Sequence, residues 1–215
     1  MYIPNHFAAS TADAFDLIRS HPLGALVHAH ANGLDANHLP WELDTSATPA
    51  RLIGHIARAN PLCDQLQDGQ QVLVIFQAEN GYISPNWYPS KHASHQQVPT
   101  WNYRVVHIHG TVRLHDDKKW VLGAVGKLTR THEVRTQAVL PHAAGAWKIK
   151  DTQVDYLERQ LSNIVGIEVN IQRIEAKFKL SQNRTDEDRA SAATQVSATG
   201  HTALGVAMQK TITKP

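Results

Sequence analysis

Apolar residues recur along the chain at two spacings, and each spacing predicts one kind of element. Near the N-terminus Ala14, Leu17 and Ile18 follow a helical spacing behind residues 10–13, whose Ser-Thr-Ala-Asp sequence is typical of a helix start. We therefore predict a short amphipathic helix that ends before Pro22. Further helices are predicted in the segment that leads to Gln67, after Asp116-Asp117, over Val154 to Asn163, and within 185–210 with a break at Gly200.

Strands are predicted where apolar residues alternate, or form short runs, between turn residues. Asn32-Gly33 separates two such segments, 23–30 and 34–43, and Asn-Gly is a strong hairpin signal because both residues tolerate positive φ. Asn80-Gly81 follows the apolar run 72–77 and predicts a second turn. Further strands are predicted over 51–56, 101–114 and 164–174, with a long loop at 85–99. The pattern indicates one α+β domain of six or seven strands and three or four helices on a barrel-like antiparallel sheet.

Composition limits the class of protein. The 215 residues are 42% hydrophobic, which is enough for a sizeable core. The formal charge is only +2, so nucleic acid could be contacted only locally. The chain has no apolar run near the roughly 20 residues that span a bilayer and no start typical of a signal peptide, so we expect a cytoplasmic protein without membrane contact. The single cysteine, Cys63, excludes an internal disulfide.

Fourteen histidines raise the question of a metal or haem site. His28 with His30, and His107 with His109, are spaced by two, which places each pair on one face of a strand. Such a pair could serve a site of two histidines and one carboxylate. However, the sequence has no HExxH motif, and neither pair is followed closely by an acidic third ligand. Paired or solvated strand histidines are the simpler interpretation, and we predict no metal ligand.

Residues 54–61 combine features that suit a phosphate. They place Arg58, Asn60 and several backbone N–H groups at the end of a strand, just before a helix. The small side chains of Ala57 and Ala59 would let a ligand approach the backbone. The alternative is that Arg58 is a surface cation and that Asn60 only caps the helix.

Residues 98–103 concentrate a rigid turn, two aromatic rings and two polar side chains at the start of a strand. This combination suits a planar ring system, with Trp101 packing and Thr100 or Asn102 bonding to edge atoms. The alternative is a core tryptophan in a capped strand. We predict no catalytic residue, because the chain has no GxSxG, GxGxxG or P-loop motif, and no helix-turn-helix can be placed.

Six sequence blocks, taken together and in order, resemble the PaiB-type FMN-binding negative transcriptional regulators. The match extends from residue 1 to about residue 190 and is more specific than any one block. One departure is the segment Ala176-Lys177-Phe178-Lys179, where the family is expected to have a glycine and a tryptophan. The blocks are 1–4, 54–61, 82–88, 98–103, 164–166 and 179–184.

The resemblance implies a fold and a cofactor. The fold is an FMN-binding split β-barrel, antiparallel and Greek-key-like, with peripheral helices over residues 1–183 and a helical extension over 184–215. It also implies a homodimer with FMN near the subunit interface. Arg58 and Asn60 are expected to bind the FMN phosphate, and the side chains of Thr100, Trp101 and Asn102 to approach the flavin or ribityl chain. The full set of expected cofactor contacts is His38, Leu39, Pro40, His55, Ala57, Arg58, Asn60, Thr100, Trp101, Asn102, Lys179 and Gln182.

Three functions remain open at this stage. The resemblance favours an FMN-binding protein that acts in negative control of transcription, with DNA as a partner only by the family's label. The alternative is an FMN-dependent oxidoreductase of the pyridoxamine-phosphate-oxidase-like or flavin-reductase kind, in which the cofactor does the chemistry. The third function is a haem-binding split barrel with a histidine as axial ligand.

Overall fold

Seven strands form one sheet in the computed structural model, which describes residues 1–212. Their order across the sheet is β2-β1-β5-β6-β7-β4-β3. Strand β1 pairs with β2 and β5, β3 pairs with β4, and β4 pairs with β7, in each case antiparallel. The strands are β1 Leu23–His30, β2 Gly33–Pro40, β3 Glu42–Asp44, β4 Arg51–Ala57, β5 Gln71–Ile83, β6 Thr100–His115 and β7 Ile164–Lys179.

The described residues contain seven α-helices, more than the three or four expected. One additional helix, α3, lies in the segment predicted as a long loop and begins at Pro89, whose fixed φ suits a first helical turn. The helices are α1 Thr11–Ser20, α2 Leu62–Gln65, α3 Pro89–Ser94, α4 Lys118–Val139, α5 Val154–Ser162, α6 Asp186–Ala198 and α7 Thr202–Gln209. Within residues 1–212, none of the helices has the length and apolar character needed to cross a membrane.

The first predicted hairpin is confirmed. Strands β1 and β2 pair in register from Leu23 with Pro40 to His30 with Gly33. Gly33 has a φ of 121°, a value that side chains disfavour and glycine tolerates. The turn therefore forms at Asn32-Gly33 because its glycine tolerates a positive φ, as the sequence predicts.

The second predicted turn, at Asn80-Gly81, is wrong, because β5 runs through both residues without a break. A Cβ atom on Gly81 would lie 2.9 Å from Cδ2 of Leu204 and 3.3 Å from the ring of His201. The glycine is therefore required by the close approach of the α7 region and does not reverse the chain.

The predicted long loop at 85–99 is partly helical. The segment contains a 3-10 turn over Pro85–Trp87 and helix α3. The backbone N–H of Ser90 donates to Asp188 at 3.0 Å, and the Ser90 hydroxyl donates to the same carboxylate at 2.6 Å. Since Asp188 is buried, these bonds anchor α3 against α6.

The chain divides into two compact units. The first unit comprises residues 1–17, 76–107 and the described part of 175–215. Its core takes side chains from α6 and α7, the helices of the expected C-terminal extension, whose last residues, 213–215, lie outside the described residues. The shared core includes Ile83, Tyr88, Leu180, Ala192, Val196, Leu204 and Met208.

The second unit comprises residues 18–75 and 108–174. Its buried side chains include Trp41, Leu52, Ile56 and Ile167. Strand β4 pairs with β7 from Arg51 opposite Asn170 to Ala57 opposite Ile164. This pairing places the residues that follow β4 next to those that precede β7.

Candidate functional site

Arg58, the first residue after β4, holds an exposed carboxylate. Its Nη1 donates to Oδ2 of Asp116 at 3.2 Å, and its Nη2 donates to Oδ1 of the same group. Its Nε donates to the carbonyl oxygen of Ser162 at 3.0 Å, which fixes the guanidinium. The Arg58 side chain is 46% exposed and that of Asp116 is 71% exposed. The hydrogen bond between them raises the pKa of Arg58 and lowers the pKa of Asp116. The guanidinium is thus oriented toward an anion at the surface of the second unit.

Asn60 shapes the turn that carries Arg58. Its backbone N–H donates to the carbonyl oxygen of Ala57 at 2.9 Å. Its side-chain Oδ1 accepts from the N–H of Leu62 at 2.9 Å, and its Nδ2 donates to Oδ1 of Asn37 at 3.0 Å. Asn60 therefore caps α2, as the simpler interpretation expected, and also ties this turn to β2.

The remaining expected contacts of the second unit lie on β2 and β4. His38 is exposed, Leu39 is buried and Pro40 is half-buried, and β2 is the first strand in the sheet order. On β4, burial lowers the pKa of His55, which therefore remains neutral at pH 7. Ala57 is exposed and offers no side chain that would block a ligand from the backbone.

The expected ring contacts lie in the first unit, where Lys179 joins the end of β7 to the start of β6. Its Nζ donates to Oγ1 of Thr100 and, at 2.9 Å, to the carbonyl oxygen of Trp101. Burial lowers the pKa of Lys179, and repulsion from Lys177 and Arg184 lowers it further. Thr100 and Trp101 from one sequence block and Lys179 from another therefore form one cluster.

Trp101 lies at the surface of this cluster. Its side chain is 51% exposed, so the alternative of a core tryptophan is wrong. Its Nε1 donates to Oδ1 of Asn80 at 3.3 Å, and its ring meets the ring of Tyr82 edge-on at 6.3 Å. An exposed, oriented indole of this kind can pack against a planar ligand.

Asn102 points into the core of the first unit and has no exposed surface. Its Nδ2 donates to Oγ of Ser181 at 2.9 Å and contacts Sδ of Met208 at 3.5 Å. The hydroxyl of Tyr88 lies 3.1 Å from the same Ser181 oxygen. Because Ser181 has a φ of 66°, these buried bonds support a backbone conformation that serine rarely adopts.

Gln182 uses both ends of its amide within its own turn. Its Oε1 accepts from the N–H of Leu180 at 2.7 Å, and its Nε2 donates to the carbonyl oxygen of Phe178 at 2.6 Å. These bonds brace the turn after β7 on both sides of Ser181.

Three functional side chains were missed by sequence reasoning. Asp116 was interpreted together with Asp117 as a helix cap, but Asp117 alone accepts from the N–H of Trp120, at 2.8 Å. Asp116 is thereby left to pair with Arg58. Ser181 and Tyr88 lie in blocks that carry the resemblance, but no local signal showed that they share hydrogen bonds with Asn102.

The chain is similar to known proteins over most of its length. Residues 1–173 match the family model described as "Putative FMN-binding domain". The protease synthase and sporulation protein PAI 2 of Bacillus subtilis is 30% identical over 189 residues, which are 87% of this chain and 85% of that protein. An uncharacterized protein of Saccharomyces cerevisiae, YKL070W, is 35% identical over 155 residues, which are 62% of this chain and 90% of that protein.

Solved structures share the fold. The FAD and haem binding protein of Mycobacterium smegmatis superposes with a TM-score of 0.57 at 17% identity, covering 87% of this chain and 80% of that one. The flavocytochrome Anf3 of Azotobacter vinelandii gives a TM-score of 0.57 at 12% identity, covering 83% of this chain and 72% of that one. The expected α+β split-barrel fold is thereby confirmed.

The family match confirms both the resemblance drawn from the sequence blocks and FMN as the expected cofactor. Because the family model spans residues 1–173 and PAI 2 is 30% identical over 87% of this chain, this chain belongs to the FMN-binding domain family.

Proposed function

We propose that this protein is a cytoplasmic, homodimeric FMN-binding regulator that acts in negative control of transcription, with the FMN phosphate bound at Arg58. The observation that carries the phosphate assignment is the forked pairing of Arg58 with Asp116. A guanidinium that already binds an exposed carboxylate with two nitrogens has the geometry that a phosphate needs. Asp116 occupies the position that a phosphate would take, and a phosphate would displace it.

The other expected contacts divide by exposure. Trp101 presents an exposed ring for the flavin, Thr100 and Lys179 offer polar groups for the flavin or ribityl chain, and the exposed Ala57 leaves room beside the phosphate. Residues 38–40 would contribute backbone groups beside the ring. Asn60 shapes the turn after β4. Asn102 and Gln182 shape the turn after β7, because their amides form hydrogen bonds within the protein. The assignment of residues 1–183 to the FMN-binding domain belongs to the same proposal.

The regulatory role is supported by the family and by the name of PAI 2, a protease synthase and sporulation protein. The net charge of +2 argues that regulation does not depend on coating DNA by charge. We therefore place the control in the FMN-bound state of the protein, with DNA contact as a local or indirect step.

An FMN-dependent oxidoreductase is the second candidate, and Lys179 favours it. A half-buried lysine with a lowered pKa, bonded to Thr100, can hold or release a proton beside a ligand. When bound, FMN supplies hydride and electron transfer. The haem-binding alternative rests only on the histidines.

Spectra and transcript levels test these functions together. Protein mixed with FMN should keep its flavin bands after desalting, whereas a Soret band kept after haem addition and desalting would favour the third function. In a strain lacking the gene, target transcripts should rise, and wild-type protein but not Arg58→Ala should lower them again. Consumption of NAD(P)H by the FMN-loaded protein with unchanged transcripts would favour the oxidoreductase. A protein that fails to bind FMN would contradict both flavin functions.

A further inference from the structure

The first unit contains a pocket of about 390 Å³ that lies largely outside the proposed FMN contacts. Of those contacts only Gln182 lines it, and the amide of Gln182 is already bonded within its own turn. The volume falls within the range of small-molecule sites. The pocket is therefore large enough for a ligand of its own.

Four charged side chains line this pocket: Asp13, Glu79, Arg104 and Lys210. The two acids already have hydrogen-bond donors. Both carboxylate oxygens of Glu79 accept from Nη2 of Arg104, at 2.6 and 2.7 Å. Oδ2 of Asp13 accepts from the N–H of Ser10 at 3.2 Å and from its hydroxyl at 2.6 Å.

The two bases retain donors. Only Nη2 of Arg104 bonds to Glu79, and its Nη1 forms no hydrogen bond within residues 1–212, although a guanidinium has five N–H groups to satisfy. The ammonium of Lys210 likewise forms no hydrogen bond or ion pair within the described residues. Donors therefore exceed acceptors around the pocket, and this excess favours a ligand that brings acceptor oxygens.

The rest of the wall is apolar. It includes Leu180, Ala207 and the ring of Phe178, and the guanidinium of Arg104 lies over that ring at 5.2 Å from its centroid. The stacking holds Arg104 between Phe178 and Glu79, so that its position does not depend on a ligand. Val206, half of whose surface is exposed, forms part of the rim.

We propose that this pocket binds a small organic acid, with its carboxylate at Arg104 and Lys210 and its apolar body against Phe178, Leu180 and Ala207. An amine would face Asp13 and Glu79 carboxylates that already accept hydrogen bonds. The proposal is independent of FMN, because none of its charged residues is a proposed FMN contact.

Calorimetric titration of the full chain with 2-naphthoate tests the proposal. The neutral 2-naphthamide and the cationic 2-naphthylmethylamine have nearly the same shape and test the charge. We expect 2-naphthoate to bind at least about tenfold more tightly than either, in the presence or absence of FMN. No binding of 2-naphthoate at millimolar concentration, or preferential binding of the amine, would overturn the proposal.

Two variants locate the binding. Ala203→Phe fills the pocket from an exposed helical position, and Ala198→Phe makes the same change at an exposed position outside it. We expect the first to weaken 2-naphthoate binding at least about tenfold and the second to leave it unchanged. Equal affinities for wild type and Ala203→Phe would place the ligand elsewhere and overturn the assignment.

A paired change tests the guanidinium without leaving a buried charge. In Arg104→Gln with Glu79→Gln, two amides replace the ion pair, so the pair can still form hydrogen bonds. The double variant should lose 2-naphthoate binding at least about tenfold and keep its affinity for FMN. Undiminished 2-naphthoate binding in a variant that unfolds like the wild type would contradict a role for Arg104.

Discussion

Polar residues follow both β4 and β7 in the sequence, but their side chains play different roles in the structure. After β4, Arg58 is about half exposed and binds the exposed Asp116. After β7, Ser181 and Gln182 bond to groups within the first unit, and Asn102 is completely buried against them. Polar residues at a strand end therefore divide into those that present a group at the surface and those that fix the backbone.

The largest effect, a loss of folding stability, is expected when the buried amide of Asn102 is removed. Asn102→Ala deletes the bond to Ser181 and leaves a space in the core of the first unit. We expect it to lower the free energy of unfolding by about 2–3 kcal/mol. Urea denaturation measures the loss, with the exposed Gln96→Ala as a control that stays within about 0.5 kcal/mol. An unchanged stability with lost FMN binding would mean that Asn102 contacts the cofactor directly.

Tyr88→Phe removes a single hydroxyl from the same cluster. The ring remains buried, and only the contact with Ser181 at 3.1 Å is lost. We expect a loss of about 1 kcal/mol in the free energy of unfolding, with FMN affinity unchanged. Urea denaturation and FMN titration on the same sample separate the two quantities, and a selective loss of FMN affinity would contradict the structural role of this cluster.

Asp116→Asn tests the opposite behaviour at the end of β4. The change keeps the shape of the side chain and removes the carboxylate charge that competes for Arg58. Because both groups are solvent-exposed, the effect should be modest, and we expect FMN to bind about two- to threefold more tightly. Fluorescence titration with FMN measures it. Weaker FMN binding would show that Asp116 assists the cofactor instead of occupying its place.

Lys179 gives the smallest effect, in the pH dependence of stability. Burial lowers the pKa of Lys179 in the folded protein below 10.5, the ordinary value for lysine. Between the two pKa values the unfolded chain binds more protons, so folding stability rises as pH increases through that window. The unfolding free energy of wild type relative to Lys179→Met should therefore increase toward pH 10.5 and stay constant near pH 7. A difference that is flat or falls across that window would mean that the ammonium is not desolvated.

Local signals predicted the parts of the fold that depend on local conformation. Asn32-Gly33 forms a turn because the turn needs only the two residues themselves. Asn80-Gly81 carries the same dipeptide, but its glycine is set by Leu204, a residue distant in sequence. The abundance of Ala, Ser and Thr in residues 185–210 predicts peripheral helices. The same small residues, such as Ala192, allow α6 to pack closely in the core of the first unit.

The same difference between local signals and distant contacts applies to the candidate site. Arg58 could be proposed from the sequence because a cation beside small residues at a strand end is a signal within one segment. Its partner Asp116 could not be found, since the pairing depends on where β6 ends relative to β4. The hydrogen bonds of Gln182 and Asn102 could not be predicted either. In the sequence, a polar residue that bonds within the protein cannot be distinguished from one that binds a ligand.

The most direct test of the central claim compares FMN with riboflavin, which lacks the phosphate, in wild type and Arg58→Ala. Arg113→Ala, at an exposed arginine of β6, controls for the loss of one positive charge. If Arg58 binds the phosphate, Arg58→Ala should weaken FMN at least about tenfold and leave riboflavin unchanged. Equal affinities of FMN for wild type and Arg58→Ala, or an equal loss for both flavins, would contradict it.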